Sequence, residues 1–184
     1  VQVRNRGTIG GSLAHNDPAA DLPAVVVALD GQIITSSINE HRSVLATDFF
    51  QDLFTTDLAE SEIISEIFIP GQAQGSGSAY LKFANKASHF AIVGVAASVT
   101  MSEGQCVAAS IGIAGAGPTA YRAKLVEESL VGTNLDDNAV EAASEKADNG
   151  IDMNDDIHAS GDYRAHLVKV FTARAIRLAA DRAD

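Results

Sequence analysis

The sequence has a single cysteine, no tryptophan and only four prolines, and the cysteine count excludes two kinds of site. Because Cys106 has no second cysteine to pair with, the chain can form no internal disulfide. One thiolate also cannot hold an iron–sulfur cluster, so any cluster that works with this chain would lie on another polypeptide. The apolar residues that follow Cys106 predict a small buried side chain in preference to a reactive thiol.

Basic residues are also scarce, with 13 Lys and Arg against 24 Asp and Glu and a formal net charge of −11. Sequence-independent nucleic-acid binding depends on clustered positive charge, so we expect no nucleic-acid partner. The longest apolar stretches, such as 91–99, are much shorter than the ~20 residues that cross a bilayer. With 46% hydrophobic residues and no recognisable signal peptide, the chain is expected to bury a core in the cytoplasm without a membrane span.

The most informative feature present is a pair of glycines in the stretch Thr8-Ile9-Gly10-Gly11-Ser12, which is followed directly by LAHNDPAADLP. Paired glycines expose backbone N–H groups and permit positive φ, which together can cradle an anion such as a diphosphate. An isolated Gly-Gly pair is nevertheless most often a simple turn. The stretch has neither the Lys of a Walker loop nor the spacing of the dinucleotide fingerprint, so neither of those sites is predicted.

Residue patterns predict an α+β fold in two parts, divided near the Gly- and Ser-rich segment Gly71 to Ser78. For the first part we predict a helix over Pro18 to Leu29 with Asp17 as its N-cap, a short turn at Thr47 and Asp48, and strands over Gln32 to Ser36, Ser43 to Ala46 and Ile63 to Ile69. For the second part we predict strands over Ala79 to Phe83, Ala91 to Met101 and Cys106 to Ala114, with a hairpin turn at Glu103-Gly104.

Helical patterns complete the second part. They extend over Arg122 to Val131, Leu135 to Asn149 and Gly161 to Ala183, the last with an apolar face through Leu167, Val170, Phe171, Arg174 and Leu178. The second part should therefore be a three-stranded antiparallel sheet with a layer of three helices.

Six blocks of sequence occur in a recognisable order. They are RNRGTIGGSLAHNDPAADLP, RSVLATDFF, SEIISEIFIP, AYLKFANKASHFAIVGVA, GIAGAGPTAYRAKLVEESLVG and DIHASGDYRAHLVKVFTARAI, within residues 4–182. Together they resemble the FAD-binding medium subunit of the molybdenum hydroxylase family, which includes aerobic carbon monoxide dehydrogenase and xanthine dehydrogenase. The resemblance implies a second FAD-binding subdomain over residues 1–72, built on a mixed or antiparallel sheet with helices, and a C-terminal flavoprotein domain over residues 77–184.

The family's members begin with a further FAD subdomain that carries its own glycine-rich loop, and this sequence contains no counterpart to it. We therefore expect half of the usual clamp on the diphosphate. The resemblance implies an oxidoreductase in which this chain binds FAD, while a molybdenum cofactor and [2Fe–2S] clusters lie on a large and a small partner subunit. The chain would pass electrons from the clusters to an external acceptor, in an assembly that resembles a dimer of heterotrimers.

The resemblance also implies the residues that contact FAD, which are Thr8, Ile9, Gly10, Gly11, Ser12, Asp21, Ile64 and Lys82. Taken alone, Asp21 is equally well explained as a carboxylate in the first turn of a helix, and Lys82 as a solvated strand side chain. Near a flavin, a lysine would stabilise negative charge on the ring and raise its reduction potential. No catalytic proton-transfer residue and no metal ligand is predicted on this chain.

Two other functions stay open at this point. A cofactor-free module that docks partner subunits would explain the absence of the first FAD subdomain, and a small-ligand binding domain unrelated to redox chemistry is a third reading. The family often has arginines and an Asp at the places held here by Asn85, Lys86 and His89, so the electron acceptor is not predicted.

Overall fold

The computed structural model describes residues 5–183, so residues 1–4 and residue 184, at the outer ends of the two predicted parts, lie outside the described residues. The helices are α1 (Ile9–His15), α2 (Asp21–Ala28), α3 (Ala46–Phe49), α4 (Lys124–Leu130), α5 (Asp137–Ser144) and α6 (Gly161–Ala180). The strands are β1 (Gln32–Ser36), β2 (His41–Leu45), β3 (Phe50–Asp52), β4 (Thr55–Thr56), β5 (Ile63–Phe68), β6 (Ser76–Ala84), β7 (Ala91–Ser102), β8 (Gln105–Ala114) and β9 (Tyr121–Arg122). The predicted α+β class is confirmed.

A three-stranded antiparallel sheet of order β2-β1-β5 forms the centre of the first part, and β3 and β4 pair beside it. Along β1 the buried residues alternate with partly exposed ones, as expected for a strand with one face on a core. The core on that face consists of Leu13, Val26, Val27, Ile33, Ala46, Phe49 and Phe50. Leu13 thus holds α1, the helix that carries the glycine pair, against the sheet.

The second part has a four-stranded antiparallel sheet of order β6-β7-β8-β9, covered on one face by α6. The three long strands agree with the prediction, and the two-residue β9 adds a fourth that was not predicted. The predicted hairpin turn between β7 and β8 is confirmed, since Glu103 and Gly104 both have positive φ, at 51° and 78°. That combination matches the twist of a tight two-residue hairpin.

The helix predicted next to the glycine pair begins later than expected, and a second helix there was not predicted. The helix expected from Pro18 begins at Asp21, with Ala20 as its N-cap, while the Asp17 carboxylate accepts a hydrogen bond from the Ala19 N–H (2.9 Å) in the preceding turn. The Pro18 carbonyl is bound by the N–H of Gly115 at 2.7 Å, which keeps this segment outside the helix. The glycine pair itself lies in α1, which was not predicted because glycine is a poor helix former.

Other bounds differ more modestly. The strand predicted over residues 43–46 is β2, which extends over residues 41–45. The turn predicted at residues 47–48 is part of α3. The predicted linker is shorter than expected, because β6 already begins at Ser76. Helix α5 ends at Ser144 and turns follow it to Gly150, while α6 ends at Ala180. The apolar face predicted for α6 is rotated, because Leu167 is buried but Arg174 is exposed, and the buried face runs instead through Val168, Ala173, Ala175, Ile176 and Ala179.

Helix α2 lies directly on the second sheet and so connects the two parts. Small residues form this contact, namely Ala24, Ala28, Ala96, Ala114 and Ala120. At Gly112 the approach is closest, because a Cβ there would lie 2.1 Å from the carbonyl oxygen of Ala24. This contact fixes where Asp21, the first residue of α2, stands relative to β6.

An ion-pair cluster ties the first sheet to the loop before β5. Glu62 accepts hydrogen bonds from Arg42 Nε and Nη2, both at 2.7 Å, from Thr35 Oγ1 at 3.0 Å and from the Ala59 N–H at 2.8 Å. Arg42 also pairs with Asp57. The hydrogen bonds from Arg42 and then from Ala59 lower the pKa of Glu62 from 4.5 to about 2.

This cluster makes stability depend on pH in acid. Because the folded pKa of Glu62 is depressed to about 2, its contribution is fully present above about pH 4.5 and is lost as the pH falls towards 2. Glu62→Gln is therefore expected to flatten the fall in unfolding free energy over that window, measured by denaturant unfolding at a series of pH values. Glu66→Gln on the exposed side of β5 is the matched control. An unchanged pH slope in the Glu62 variant would contradict this assignment.

Candidate functional site

The glycine pair forms the first turn of α1. Thr8 is the N-cap, with φ −126° and ψ 155°, and its hydroxyl accepts a hydrogen bond from the N–H of Gly11 at 3.0 Å. The next helical bond joins the Ser12 N–H to the Thr8 carbonyl at 3.1 Å. The N–H groups of Ile9 and Gly10 precede the first such bond, so they have no intrahelical acceptor and point out of the helix end.

Neither glycine adopts the positive φ that the sequence would permit, so the pair does not form an anion cradle of that kind. What the glycines provide is space. A Cβ on Gly11 would lie 3.0 Å from Thr8 Oγ1, and a Cβ on Gly10 would lie 4.0 Å from the Ile64 side chain. The turn therefore has no side chain at Gly10 or Gly11. The side chain of Ile64, in β5, lies on the side of Gly10 toward which a Cβ would point.

A second group of polar side chains brings the two parts of the chain together. Lys82 Nζ donates to Asp21 Oδ2 at 2.7 Å and to the carbonyl of His89 at 2.8 Å. The Tyr80 hydroxyl donates to the other carboxylate oxygen, Asp21 Oδ1, at 2.6 Å. Asp21 and Lys82 are both partly exposed, with 39% and 26% of their side-chain surface accessible. The pair is thus anchored by protein groups yet open to a ligand.

The predicted site residues therefore fall into two groups. Thr8 to Ser12 lie with Ile64, and Asp21 lies with Lys82, while within residues 5–183 no hydrogen bond or ion pair joins one group to the other. Both groups lie on open surface. A cleft of about 430 Å³ is lined by other residues, among them Phe54, Phe90 and Arg164.

Asn16 is a structural residue that sequence reasoning missed. It ends α1 in the left-handed conformation with φ 47°, which asparagine tolerates better than most residues. Its buried amide donates to the carbonyls of Asp52 and Thr55, both at 2.8 Å, and accepts from Thr119 at 2.9 Å. Asn16 thereby joins α1 to the β3–β4 hairpin and to the second part of the chain.

Cys106 is 1% exposed, and its burial raises the pKa of the thiol, so the prediction of a buried side chain is confirmed. Between residues 5 and 183, no helix combines the length and apolar character that crossing a membrane requires. The same residues contain no group of three or more His, Cys, Asp or Glu side chains placed to hold a metal ion.

Comparison with known proteins identifies both parts of the chain. Residues 1–72 match the family described as the FAD binding domain in molybdopterin dehydrogenase, and residues 78–179 match the CO dehydrogenase flavoprotein C-terminal domain. The chain belongs to the CO dehydrogenase flavoprotein family. The predicted resemblance to the FAD-binding medium subunit is confirmed by this match. Helix α1 and Asp21 both lie within the residues that match the FAD-binding domain.

Individual members of the flavoprotein family agree with the assignment. The alpha subunit of the 6-hydroxypseudooxynicotine dehydrogenase complex of Paenarthrobacter nicotinovorans is 37% identical over 99% of this chain and 62% of its own length. The structure of carbon monoxide dehydrogenase from Hydrogenophaga pseudoflava is 35% identical, with a TM-score of 0.95 over 100% of this chain and 64% of that one. Quinoline 2-oxidoreductase from Pseudomonas putida 86 gives 36% identity and a TM-score of 0.90 over 98% and 63%. The chain thus spans less than two thirds of the length of these relatives.

Proposed function

We propose that this chain is the FAD-binding, electron-transferring component of a molybdenum-containing hydroxylase or dehydrogenase. The observation that carries the proposal is the consecutive match, along one chain, of the FAD binding domain in molybdopterin dehydrogenase and the CO dehydrogenase flavoprotein C-terminal domain. The relatives named above are dehydrogenases and an oxidoreductase, which supports the same class of activity. The molybdenum cofactor and the iron–sulfur clusters would lie on a large and a small partner subunit, since Cys106 alone cannot hold a cluster.

The residues present fit FAD. The diphosphate of FAD is an anion, and the first turn of α1 offers the N–H groups of Ile9 and Gly10 with no side chain over Gly10 or Gly11 to obstruct it. Thr8 and Ser12 would border the same anion. Because Gly11 already donates to Thr8, it serves the site by its lack of a side chain and by fixing the cap.

The flavin ring would lie toward Ile64 and Lys82. FAD, when bound, supplies the redox chemistry, and the chain supplies the environment that tunes it. The Lys82 ammonium would stabilise negative charge at the edge of the ring, and Asp21 would accept a hydrogen bond with the lone pairs that Tyr80 and Lys82 leave free. The apolar Ile64 side chain would cover part of the ring surface.

The proposal is tested by purifying the complete protein from its native host and measuring its visible spectrum together with its molybdenum and iron content. We expect bound flavin, and we expect molybdenum- and iron-containing subunits to co-purify with it. Co-purifying subunits without any flavin, even after FAD is added, would instead support the cofactor-free docking module. If the protein contained no flavin and no metal-containing subunits co-purified with it, a small-ligand binding domain would be favoured.

A further inference from the structure

The Tyr80 side chain contacts Asp21 together with Lys82, but the site prediction did not include it. Tyr80 and Lys82 are two residues apart in β6, so their side chains point to the same face of the sheet. Helix α2 covers that face, and its first residue, Asp21, receives hydrogen bonds from both side chains. The two carboxylate oxygens are thereby divided, with Oδ1 facing Tyr80 and Oδ2 facing Lys82.

The fold reserves space for the Tyr80 hydroxyl. Gly94 pairs with Lys82 across the β6–β7 ladder, and a Cβ on Gly94 would lie 2.3 Å from the Tyr80 hydroxyl oxygen. Any side chain at that position would displace the phenol from Asp21. The Tyr80 hydroxyl is protonated at neutral pH, as tyrosine ordinarily is, and so can donate to Asp21. Burial of the ring, and then this hydrogen bond, raise the pKa of Tyr80 further.

We infer that Tyr80 is a positioning residue for the proposed flavin site: its hydroxyl fixes the Asp21 carboxylate, which in turn holds the Lys82 ammonium beside the place of the flavin ring. The inference rests on the proposed function. A carboxylate bound on one oxygen only could rotate about its terminal torsion, and Lys82 would then lose its fixed partner. Lys82 has one further anchor, the His89 carbonyl, so without Asp21 the ammonium would be held at a single point.

The test uses Tyr80→Phe in the complete protein, because this change removes the hydroxyl and leaves the ring in place. Without FAD, acetylation of Lys82 relative to the exposed Lys86 is followed by peptide mass spectrometry, and the ratio is expected to rise about threefold, as for a weakened, partly exposed ion pair. With FAD, the dissociation constant is expected to rise about tenfold. In an Asp21→Asn background, Tyr80→Phe should cause no further loss of affinity.

Two further variants separate positioning from general loss of stability. Tyr121→Phe also removes a tyrosine hydroxyl from this sheet, one that donates to the Ala147 carbonyl at 3.0 Å, and it should change neither Lys82 acetylation nor FAD affinity. Gly94→Ala leaves Tyr80 intact but displaces its hydroxyl, so it should reproduce the Tyr80→Phe effects even if that variant folds poorly.

Each outcome decides the inference. Unchanged Lys82 acetylation in both Tyr80→Phe and Gly94→Ala would overturn it, whether or not FAD binds. Increased acetylation with unchanged FAD affinity would also overturn it, because Lys82 would then be positioned for something other than the flavin. Increased acetylation in a protein that binds no FAD at all would leave Tyr80 as the residue that positions Lys82 and would refute the proposed function instead.

Discussion

Gly11→Val is expected to lower the FAD affinity of the complete protein about 100-fold, which corresponds to roughly 2.7 kcal/mol of binding free energy. A Cβ at this position would lie 3.0 Å from Thr8 Oγ1, so a branched side chain must displace the N-cap hydroxyl. The substitution also places two methyl groups at the helix end where the diphosphate would approach the backbone. Loss of the cap costs about 1 kcal/mol of helix stability. The loss of affinity is expected because the new side chain blocks the approach of the diphosphate to the backbone. A fluorescence titration with FAD measures the change.

Two controls isolate the helix end. Ala14→Val introduces the same side chain on the exposed surface of α1, away from its first turn, and should change the affinity little. Cys106→Ser alters a buried residue of the second part and should also leave FAD affinity nearly unchanged. Equal losses of affinity in the Gly11 and Cys106 variants would remove the basis for placing the diphosphate at α1.

Gly112→Val should destabilise the folded chain by about 3 kcal/mol or more. The new Cβ would lie 2.1 Å from the carbonyl oxygen of Ala24, and a helix backbone cannot yield as the end of a flexible side chain can. Helix α2 must therefore move away from the sheet, which opens the alanine interface and carries Asp21 away from Lys82. For a chain of this length the melting temperature should fall by roughly 10 °C.

Gly71→Val is the matched control for the Gly112 variant, because a Cβ on Gly71 would meet no atom within 4 Å. It should leave the melting temperature within a degree or two. If the Gly112 variant melted at the wild-type temperature, the close packing of α2 on β8 would be contradicted. FAD affinity, measured below the melting temperature, should fall in the Gly112 variant and not in the Gly71 variant.

Much of the fold could be predicted because local patterns and tertiary structure agree there. The three long strands of the second sheet are rich in apolar residues, and the turn at Glu103-Gly104 has a glycine where a tight hairpin needs positive φ. The resemblance implies Asp21 and Lys82 as two separate FAD contacts. In the structure, Lys82 Nζ lies 2.7 Å from Asp21 Oδ2. Their contact with FAD stays a prediction.

The remainder depended on contacts distant in the sequence. Helix α1 contains two glycines, so its local propensity is poor, and it is held by the burial of Leu13 and the amide of Asn16. The start of α2 was missed because the bond from Gly115 to the Pro18 carbonyl competes with helix formation. The two-residue spacing of Tyr80 and Lys82 indicates that both side chains lie on the same face of a strand. The sequence does not indicate their shared partner, because Asp21 lies on a distant helix.

Hydrogen–deuterium exchange of the complete protein with and without FAD tests the central claim most directly. FAD held at the first turn of α1 and beside Lys82 should slow exchange of the amides in residues 9–12 and 82–89, while residues 137–150 on the far side of the second part should exchange at an unchanged rate. Binding of FAD with protection elsewhere, and none in residues 9–12, would contradict the site derived for this chain.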